Sequence, residues 1–183
     1  MLSNFRPCPT GVPQGSILGP LFFLLYFNHL PLTVSSSVDS YADDTTITAS
    51  GKSLEDIEFK LNEDCKNVSQ WMRSNKMKLN PEKTHLITIG TQRRLSALNR
   101  PPHIVMDGVP LHEDTAKSEL LLGCIVEGNL KWNNQVSKLL EKLKKRVGGG
   151  LNSIKYICNF SSRKMFAEGI FNSVMVYCLP LFG

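Results

Sequence analysis

The chain has 183 residues, of which 42% are apolar, and carries a formal charge of +5. This length accommodates one domain, or one domain with a small appendage, and the apolar content is too high for a disordered protein. We expect no secretory signal, because no basic stretch followed by an apolar run opens the sequence. The mildly basic balance, with a pI near 9.0, suits a nucleic-acid partner without requiring one.

The five cysteines are widely spaced along the chain, at positions Cys8, Cys65, Cys124, Cys158 and Cys178. None belongs to a C-x-x-C pair or to a Cys/His cluster with the spacing of a zinc site. The odd number and the scatter predict reduced, mostly buried thiols. We therefore expect an intracellular protein of the cytoplasm or nucleus, not a secreted one.

The first predicted element is a helix that follows a loop rich in glycine and proline, Gly11–Pro20. Such loops allow the backbone to approach a ligand closely. The apolar run Leu21–Phe27 predicts a buried helix that ends before Pro31. This run is too short for a bilayer, which requires ~20 apolar residues, so no membrane partner is expected.

Two β-prone runs come next, Ser36–Tyr41 and Thr45–Ala49, and predict a hairpin with Asp43 and Asp44 at its tip. Adjacent carboxylates repel each other and bury no apolar surface. They do suit magnesium, which is commonly held by one or two carboxylates together with substrate phosphates. Taken alone, the pair is better explained as a turn former.

A long amphipathic helix is predicted over Ser53–Ser74, beginning at the capping sequence Ser53-Leu54-Glu55-Asp56. Its apolar residues recur at helical spacing and predict a face packed against a sheet. Downstream, the pattern predicts a strand, a second strand, a polar loop, a hairpin and a further strand. In chain order these are Met77–Leu79, Lys83–Ile89, Thr91–Pro102, Ile104–Leu111 and Glu119–Val126.

The last third of the chain is predicted to be helical. An amphipathic helix with five cations in Lys138–Arg146 ends at Gly148–Gly150. Two further helices are expected, over Leu151–Cys158 and Ser161–Tyr177. We therefore place a boundary near Asn133, with mixed α/β structure before it and helices after it.

Two motifs carry a family resemblance: GVPQGSILGP at residues 11–20 and YADDT at residues 41–45. Together they resemble the reverse transcriptases of non-LTR, LINE-type (jockey-like) retrotransposons. The resemblance continues, in the family's order, through LNPEKT at 79–84, LLGC at 121–124 and LKW at 130–132. It implies an α+β fold: a partial right-hand polymerase palm over residues 1–132, followed by a helical, thumb-like segment over residues 133–183.

The resemblance also implies an RNA-directed DNA polymerase activity, with an RNA template, a DNA primer and deoxynucleoside triphosphates as partners. In this interpretation Asp43 and Asp44 bind Mg²⁺ and carry catalysis. Gln14, Gly15 and Tyr41 contact the incoming nucleotide. Lys83 is either a general acid for the pyrophosphate leaving group or an exposed lysine that follows a turn.

Four basic residues of the amphipathic helix that ends at Gly148–Gly150 are candidates for contacts with a template–primer duplex: Lys142, Lys144, Lys145 and Arg146. Such contacts would be electrostatic and independent of base sequence. The alternative for this charge run is a solvated helix face.

One departure from the family concerns the acidic site. The family has another aspartate on a palm strand before the glycine-rich loop, and residues 1–10 contain no acidic residue. We therefore expect a fragment that lacks the fingers and the first catalytic aspartate and is inactive in isolation. The alternatives are a non-catalytic remnant that binds RNA or DNA, and a portion that complements a separate N-terminal part of the polymerase.

Overall fold

The computed structural model describes residues 11–13, 15–113, 118–151 and 159–177. The chain divides into two compact units. Unit 1 comprises Met1–Thr84 with Pro102–His112, and unit 2 comprises His85–Pro101 with Glu113–Gly183. Both units contain helices and paired strands, so the expected mixture of helix and sheet is confirmed. The domain boundary at residues 132 and 133 stays a prediction.

The helices are α1 (Gly19–Phe27), α2 (Leu54–Ser74), α3 (Gln92–Ser96), α4 (Asn133–Arg146) and α5 (Phe160–Met175). Short 3₁₀ turns lie at Leu30–Thr33 and Pro81–Lys83, and a π-helical turn, Val147–Leu151, follows α4. The strands are β1 (Ser37–Tyr41), β2 (Asp44–Thr48), β3 (Ile104–Met106), β4 (Val109–Leu111), β5 (Ser118–Leu121) and β6 (Cys124–Glu127). No helix in the described part of the chain is long and apolar enough to cross a membrane.

Within the described ranges, each strand pairs with its sequence neighbour in one of three antiparallel hairpins, β1–β2, β3–β4 and β5–β6. The turn of β3–β4 consists of Asp107 and Gly108, and that of β5–β6 consists of Leu122 and Gly123. All four residues have positive φ, between 47° and 84°. A two-residue type I′ turn requires this conformation because its twist matches that of the flanking strands.

The core of unit 1 forms around α2, whose N-cap is Ser53 as predicted. The Ser53 side chain accepts a hydrogen bond from the Asp56 N–H at 3.2 Å. Cys65 and Val68 on α2 are buried, as are Ile104 and Met106 of β3, and these two elements pack together. The predicted amphipathic helix is therefore confirmed, with Cys65 and Val68 of its apolar stripe buried.

In unit 2, α4 packs against β6 and α5, and the buried apolar residues are Cys124, Leu143 and Val174. The Gln135 side chain is also buried. Its Oε1 accepts a hydrogen bond from the Ile125 N–H at 2.9 Å and thereby ties α4 to β6. The α5 helix begins at Phe160, one residue before the Ser161 start predicted from the sequence, and its N-cap is Asn159 and not Ser161 or Ser162.

Three strand predictions are wrong. Residues 77–79 have no strand partner among the described residues, and in residues 83–89 pairing is limited to one bridge from Leu86 to Glu113. The predicted strand over 119–126 is the hairpin β5–β6, because the left-handed turn at Leu122 and Gly123 reverses the chain. A continuous apolar run does not by itself reveal such a reversal. Most of the helix predicted over residues 151–158 lies outside the described residues.

The predicted burial of α1 is also wrong. Phe27 is buried and packs edge-on against Trp71 of α2, with ring centroids 5.7 Å apart. The remaining apolar residues of this helix include five that are exposed: Leu21, Phe22, Leu24, Leu25 and Tyr26. An apolar composition all around a helix predicts burial on every side, whereas α1 packs through one side only.

Candidate functional site

The candidate site is the tip of the β1–β2 hairpin. Tyr41 lies opposite Asp44 in the strand register, so Ala42 and Asp43 form a two-residue turn. The side chains of Tyr41, Asp43 and Asp44 are all exposed there. Behind the tip, the Ser40 and Thr45 hydroxyls lie 3.2 Å apart and form a cross-strand hydrogen bond. The hairpin thus presents two adjacent carboxylates and an aromatic ring to solvent.

Ala42 has a φ of 55°, in the left-handed region that favours glycine. Placing an L-residue there costs roughly 1–2 kcal/mol. Such backbone strain clusters at functional sites. The sequence contained a signal for this feature that we missed: a two-residue hairpin turn requires positive φ at its first central residue, whatever residue occupies it.

The base of the same hairpin is held by Asp64, which projects from α2 and is only 1% exposed. Its Oδ1 accepts hydrogen bonds from the Ser35 N–H at 2.7 Å and the Ser35 hydroxyl at 3.1 Å, and its Oδ2 accepts one from the Ser36 N–H at 3.1 Å. Burial raises the pKa of Asp64, but the hydrogen bonds from Ser36 and Ser35 more than offset burial and hold this pKa below its ordinary value.

Asp64 also affects its neighbour. Burial, followed by the negative charge of Asp64, raises the pKa of the Cys65 thiol to about 11. The sequence reasoning overlooked Asp64. The available signal was an acidic residue within the apolar stripe of α2, between Leu61 and Val68, where a charge is costly unless it is hydrogen-bonded.

Two other predicted site residues, Gly15 and Lys83, lie in unit 1 outside the hairpin. Gly15 has a φ of 84° and is exposed, with no atom within 4 Å of the position a Cβ would take. The Lys83 side chain is exposed at the end of the 3₁₀ turn, where its N–H donates to the Asn80 carbonyl at 3.1 Å. Gln14 lies outside the described residues. The hairpin therefore brings together Tyr41, Asp43 and Asp44, and the assignments of Gly15, Gln14 and Lys83 stay predictions.

The basic candidates lie in the last turns of α4 in unit 2. Lys142, Lys144 and Lys145 are exposed, whereas Leu143 between them is buried. Arg146 is exposed but engaged, because its Nη1 donates a hydrogen bond to the Ser173 hydroxyl of α5 at 2.9 Å. Three lysines are thus presented to solvent, and Arg146 has a structural contact that the sequence did not indicate.

The donor set at the hairpin tip fits a magnesium ion. Hard carboxylate oxygens are what Mg²⁺ prefers, and one or two carboxylates are sufficient when water and substrate phosphates supply the remaining ligands. Among the residues that the structure describes, no group of three or more His, Cys, Asp or Glu side chains is placed to hold a metal. The protein ligands that the described residues offer at the tip are therefore the two carboxylates of Asp43 and Asp44.

The comparisons with known proteins point to one family. The family described as "Reverse transcriptase (RNA-dependent DNA polymerase)" matches residues 2–157. No solved structure matches the chain significantly.

Three curated relatives are similar over most of this chain. A "Probable RNA-directed DNA polymerase from transposon X-element" of Drosophila melanogaster is 27% identical over 80% of the chain. The "RNA-directed DNA polymerase from mobile element jockey" of the same organism is 24% identical over 79%. A "Retrovirus-related Pol polyprotein from type-1 retrotransposable element R1" of Nasonia vitripennis is 28% identical over 76%. The chain spans 16% of the length of each of the first two relatives and 42% of the third.

Proposed function

This chain belongs to the reverse transcriptase (RNA-dependent DNA polymerase) family of the LINE type, and on that premise we propose that it supplies the acidic turn of a polymerase active site. The family predicted from the motifs at residues 11–20 and 41–45 is confirmed. Reverse transcriptases act on a nucleic-acid template and primer with nucleotide substrates and generally use a divalent metal. The proposed activity is RNA-directed DNA polymerisation within the longer parent protein.

The observation that carries the proposal is the exposed carboxylate pair, with Asp43 on the strained two-residue turn and Asp44 beside it at the start of β2. Asp43 and Asp44 bury no apolar surface there, and neither forms an ion pair with another described side chain. We assign magnesium to these two carboxylates. Magnesium, when bound, stabilises negative charge on the attacking primer oxygen and on the leaving phosphate oxygen.

The neighbouring residues are proposed to handle the nucleotide. Tyr41 projects an exposed ring beside the acidic turn, and an aromatic ring provides a flat surface for a sugar or base. Gly15 leaves open space next to its backbone, which permits a close approach of the substrate, and Gln14 offers both a donor and an acceptor. Lys83 is exposed, so both of its proposed roles stay open: proton donor to the pyrophosphate, or surface lysine.

The α4 segment is proposed to act as part of a thumb that contacts the template–primer duplex. Its four exposed lysines, Lys138, Lys142, Lys144 and Lys145, support electrostatic phosphate contacts. We further propose an intracellular location, which the burial of the Cys65 and Cys124 side chains supports. We propose that the acidic site is completed by the aspartate that the family places on a palm strand before the glycine-rich loop.

A second candidate function is binding of RNA or DNA without catalysis. Two features of the described residues favour it. The lysines of α4 are exposed to solvent, where they can contact phosphates, and no group of three or more potential metal ligands is found at the acidic turn. The two candidates differ in what they require of the hairpin. Only the polymerase function requires metal binding by Asp43 and Asp44.

Metal binding at the turn is therefore the test. Manganese, a paramagnetic substitute for magnesium, is added to the isotope-labelled chain, and broadening of the amide signals of residues 41–45 is followed by NMR. We expect broadening centred on this turn and its loss in Asp43→Asn. The matched control is Asp39→Asn, an exposed aspartate on β1 of the same hairpin, which should leave the broadening intact. Equal broadening in all three proteins would contradict the assignment.

A further inference from the structure

The α2 helix holds both legs of the β1–β2 hairpin through side chains that lie one helical turn apart. Asp64 accepts the hydrogen bonds from Ser35 and Ser36, immediately before β1. Lys60, four residues earlier on α2, donates from Nζ to the Ser50 carbonyl at 3.2 Å, two residues after β2. Residues at i and i+4 share one face of a helix. One face of α2 therefore anchors the base of the hairpin whose tip carries Asp43 and Asp44.

The Asp64 anchor is the stronger of the two. A buried charge is tolerated only when hydrogen bonds replace the lost water, and Asp64 has such bonds to two consecutive backbone N–H groups and a hydroxyl. Hydrogen bonds to a charged acceptor are about twice as strong as neutral ones. Because both backbone N–H groups are held by one carboxylate, the peptide that enters β1 is fixed in orientation.

The Lys60 anchor is weaker, because its side chain is 41% exposed and also forms an ion pair with Asp56 at 3.0 Å. Exposed ion pairs contribute little to stability, since solvent screens them. Lys60 nevertheless fixes the opposite leg of the hairpin, so the two anchors together restrict rotation of the hairpin about its base.

The hairpin needs such anchoring because it is a two-stranded sheet in the described chain. Isolated two-stranded hairpins are at best marginally stable. The five residues of β1 extend for about 17 Å at ~3.3 Å per residue. A tilt of about 10° at the base would therefore move the tip by about 3 Å, whereas functional constellations tolerate only about 0.5 Å.

We infer that Asp64 is a positioning residue for the metal-binding turn, with Lys60 as the secondary anchor on the other leg. Asp64 acts from the base of the hairpin and touches neither metal nor substrate. This inference rests on the proposed function of Asp43 and Asp44, and the experiment separates the two.

The experiment uses the full 183-residue chain, with manganese as the probe and NMR as the readout. Asp64→Asn keeps the shape of the side chain but turns one acceptor into a donor facing the Ser36 N–H. The matched control is Glu63→Gln, which removes an exposed carboxylate from the adjacent position of α2. We expect Asp64→Asn to weaken manganese binding at the turn, because a hairpin that tilts at its base no longer holds the two carboxylates within the tolerance of about 0.5 Å that a functional site requires. Glu63→Gln should leave the affinity unchanged.

A merely structural role predicts a different result. Asp64→Asn would then lower the stability of the whole unit but leave the manganese affinity of the folded protein at the wild-type value, and that outcome overturns the inference. Amide signals of α2 and of β3–β4 report whether the variant is folded. If it is not, Ser35→Ala, which removes only the hydroxyl donor, replaces it, and weaker manganese binding is again required.

Absence of manganese binding by the wild-type turn would refute the proposed metal site instead. The inference about Asp64 is then decided by hydrogen exchange of the amides of residues 37–48. Faster exchange at the hairpin in Asp64→Asn, with unchanged exchange in β3–β4, would support the anchor. Unchanged exchange at the hairpin would overturn it.

Discussion

The exposed lysines of α4 give a quantitative prediction about nucleic-acid binding. Each phosphate contact made by a lysine or arginine contributes ~0.9 to the slope of log affinity against log salt concentration on B-form duplex DNA. Lys144 and Lys145 are exposed and adjacent, whereas Arg146 is engaged by the Ser173 hydroxyl. Changing both lysines to glutamine should therefore reduce the slope by up to about 1.8, twice the contribution of one contact.

The assay is fluorescence anisotropy of a labelled duplex titrated with protein at a series of salt concentrations. The matched control changes two lysines that are paired with glutamates, Lys66 with Glu63 and Lys164 with Glu168. These pairs are surface ion pairs, so their loss costs little stability, and the control slope should stay near the wild-type value.

If the Lys144/Lys145 variant keeps both the affinity and the salt slope of the wild type, these two lysines do not contact phosphates and the prediction is wrong. The charge run would then be a solvated helix face. An equal reduction of slope in both variants would also refute it, because binding would follow net charge and not the α4 surface.

Four further predictions concern activity, pH, backbone strain and solubility. The isolated chain should not extend a primer on an RNA template with magnesium, because Asp43 and Asp44 alone cannot hold two ions, and robust Asp43-dependent extension would refute this. The pKa of Asp64 lies below its ordinary value in the folded chain. The stability that Asp64 contributes is therefore fully present above its unfolded-state pKa and is lost as pH falls through its folded-state pKa. Urea unfolding at a series of acidic pH values should show this loss in the wild type and a smaller pH dependence in Asp64→Asn. Ala42→Gly should change the free energy of unfolding by less than about 1 kcal/mol, because the relief of left-handed strain offsets the larger entropy of the unfolded chain. Ala42→Val should lower the free energy of unfolding clearly more in the same denaturation experiment. The exposed apolar residues of α1 should cause self-association, and replacing Leu24 and Leu25 by lysine should reduce light scattering at matched concentration; a monomeric wild type would contradict the prediction.

Local sequence patterns predicted the elements whose formation depends on neighbouring residues. The apolar stripe of α2 and its Ser53 cap, the Asp107–Gly108 turn and the β1–β2 hairpin are all present. The carboxylate pair near the tip also followed from the sequence, because the two β-prone runs leave only residues 42–44 between them, although the structure places Asp44 at the start of β2.

The tertiary structure decided which of these features are buried, paired or anchored. The composition of Leu21–Phe27 predicts a core helix, yet Phe27 is the one buried residue of this described run, since burial depends on what lies beside a helix. In the sequence Arg146 is one more cation in a basic run, but in the structure its side chain donates a hydrogen bond to Ser173 of α5, unlike the exposed Lys144 and Lys145.

The anchor of the acidic turn is the clearest case of what the sequence left undetermined. Asp64 and its partners Ser35 and Ser36 are separated by nearly thirty positions, and nothing in the spacing of these residues pairs them. The sequence by itself determined the family, the hairpin and the carboxylates at its tip, because each depends on short-range order along the chain. That α2 binds the base of the hairpin through Asp64 is determined only by the tertiary structure, because a hydrogen bond between residues distant in sequence forms only when packing brings them together.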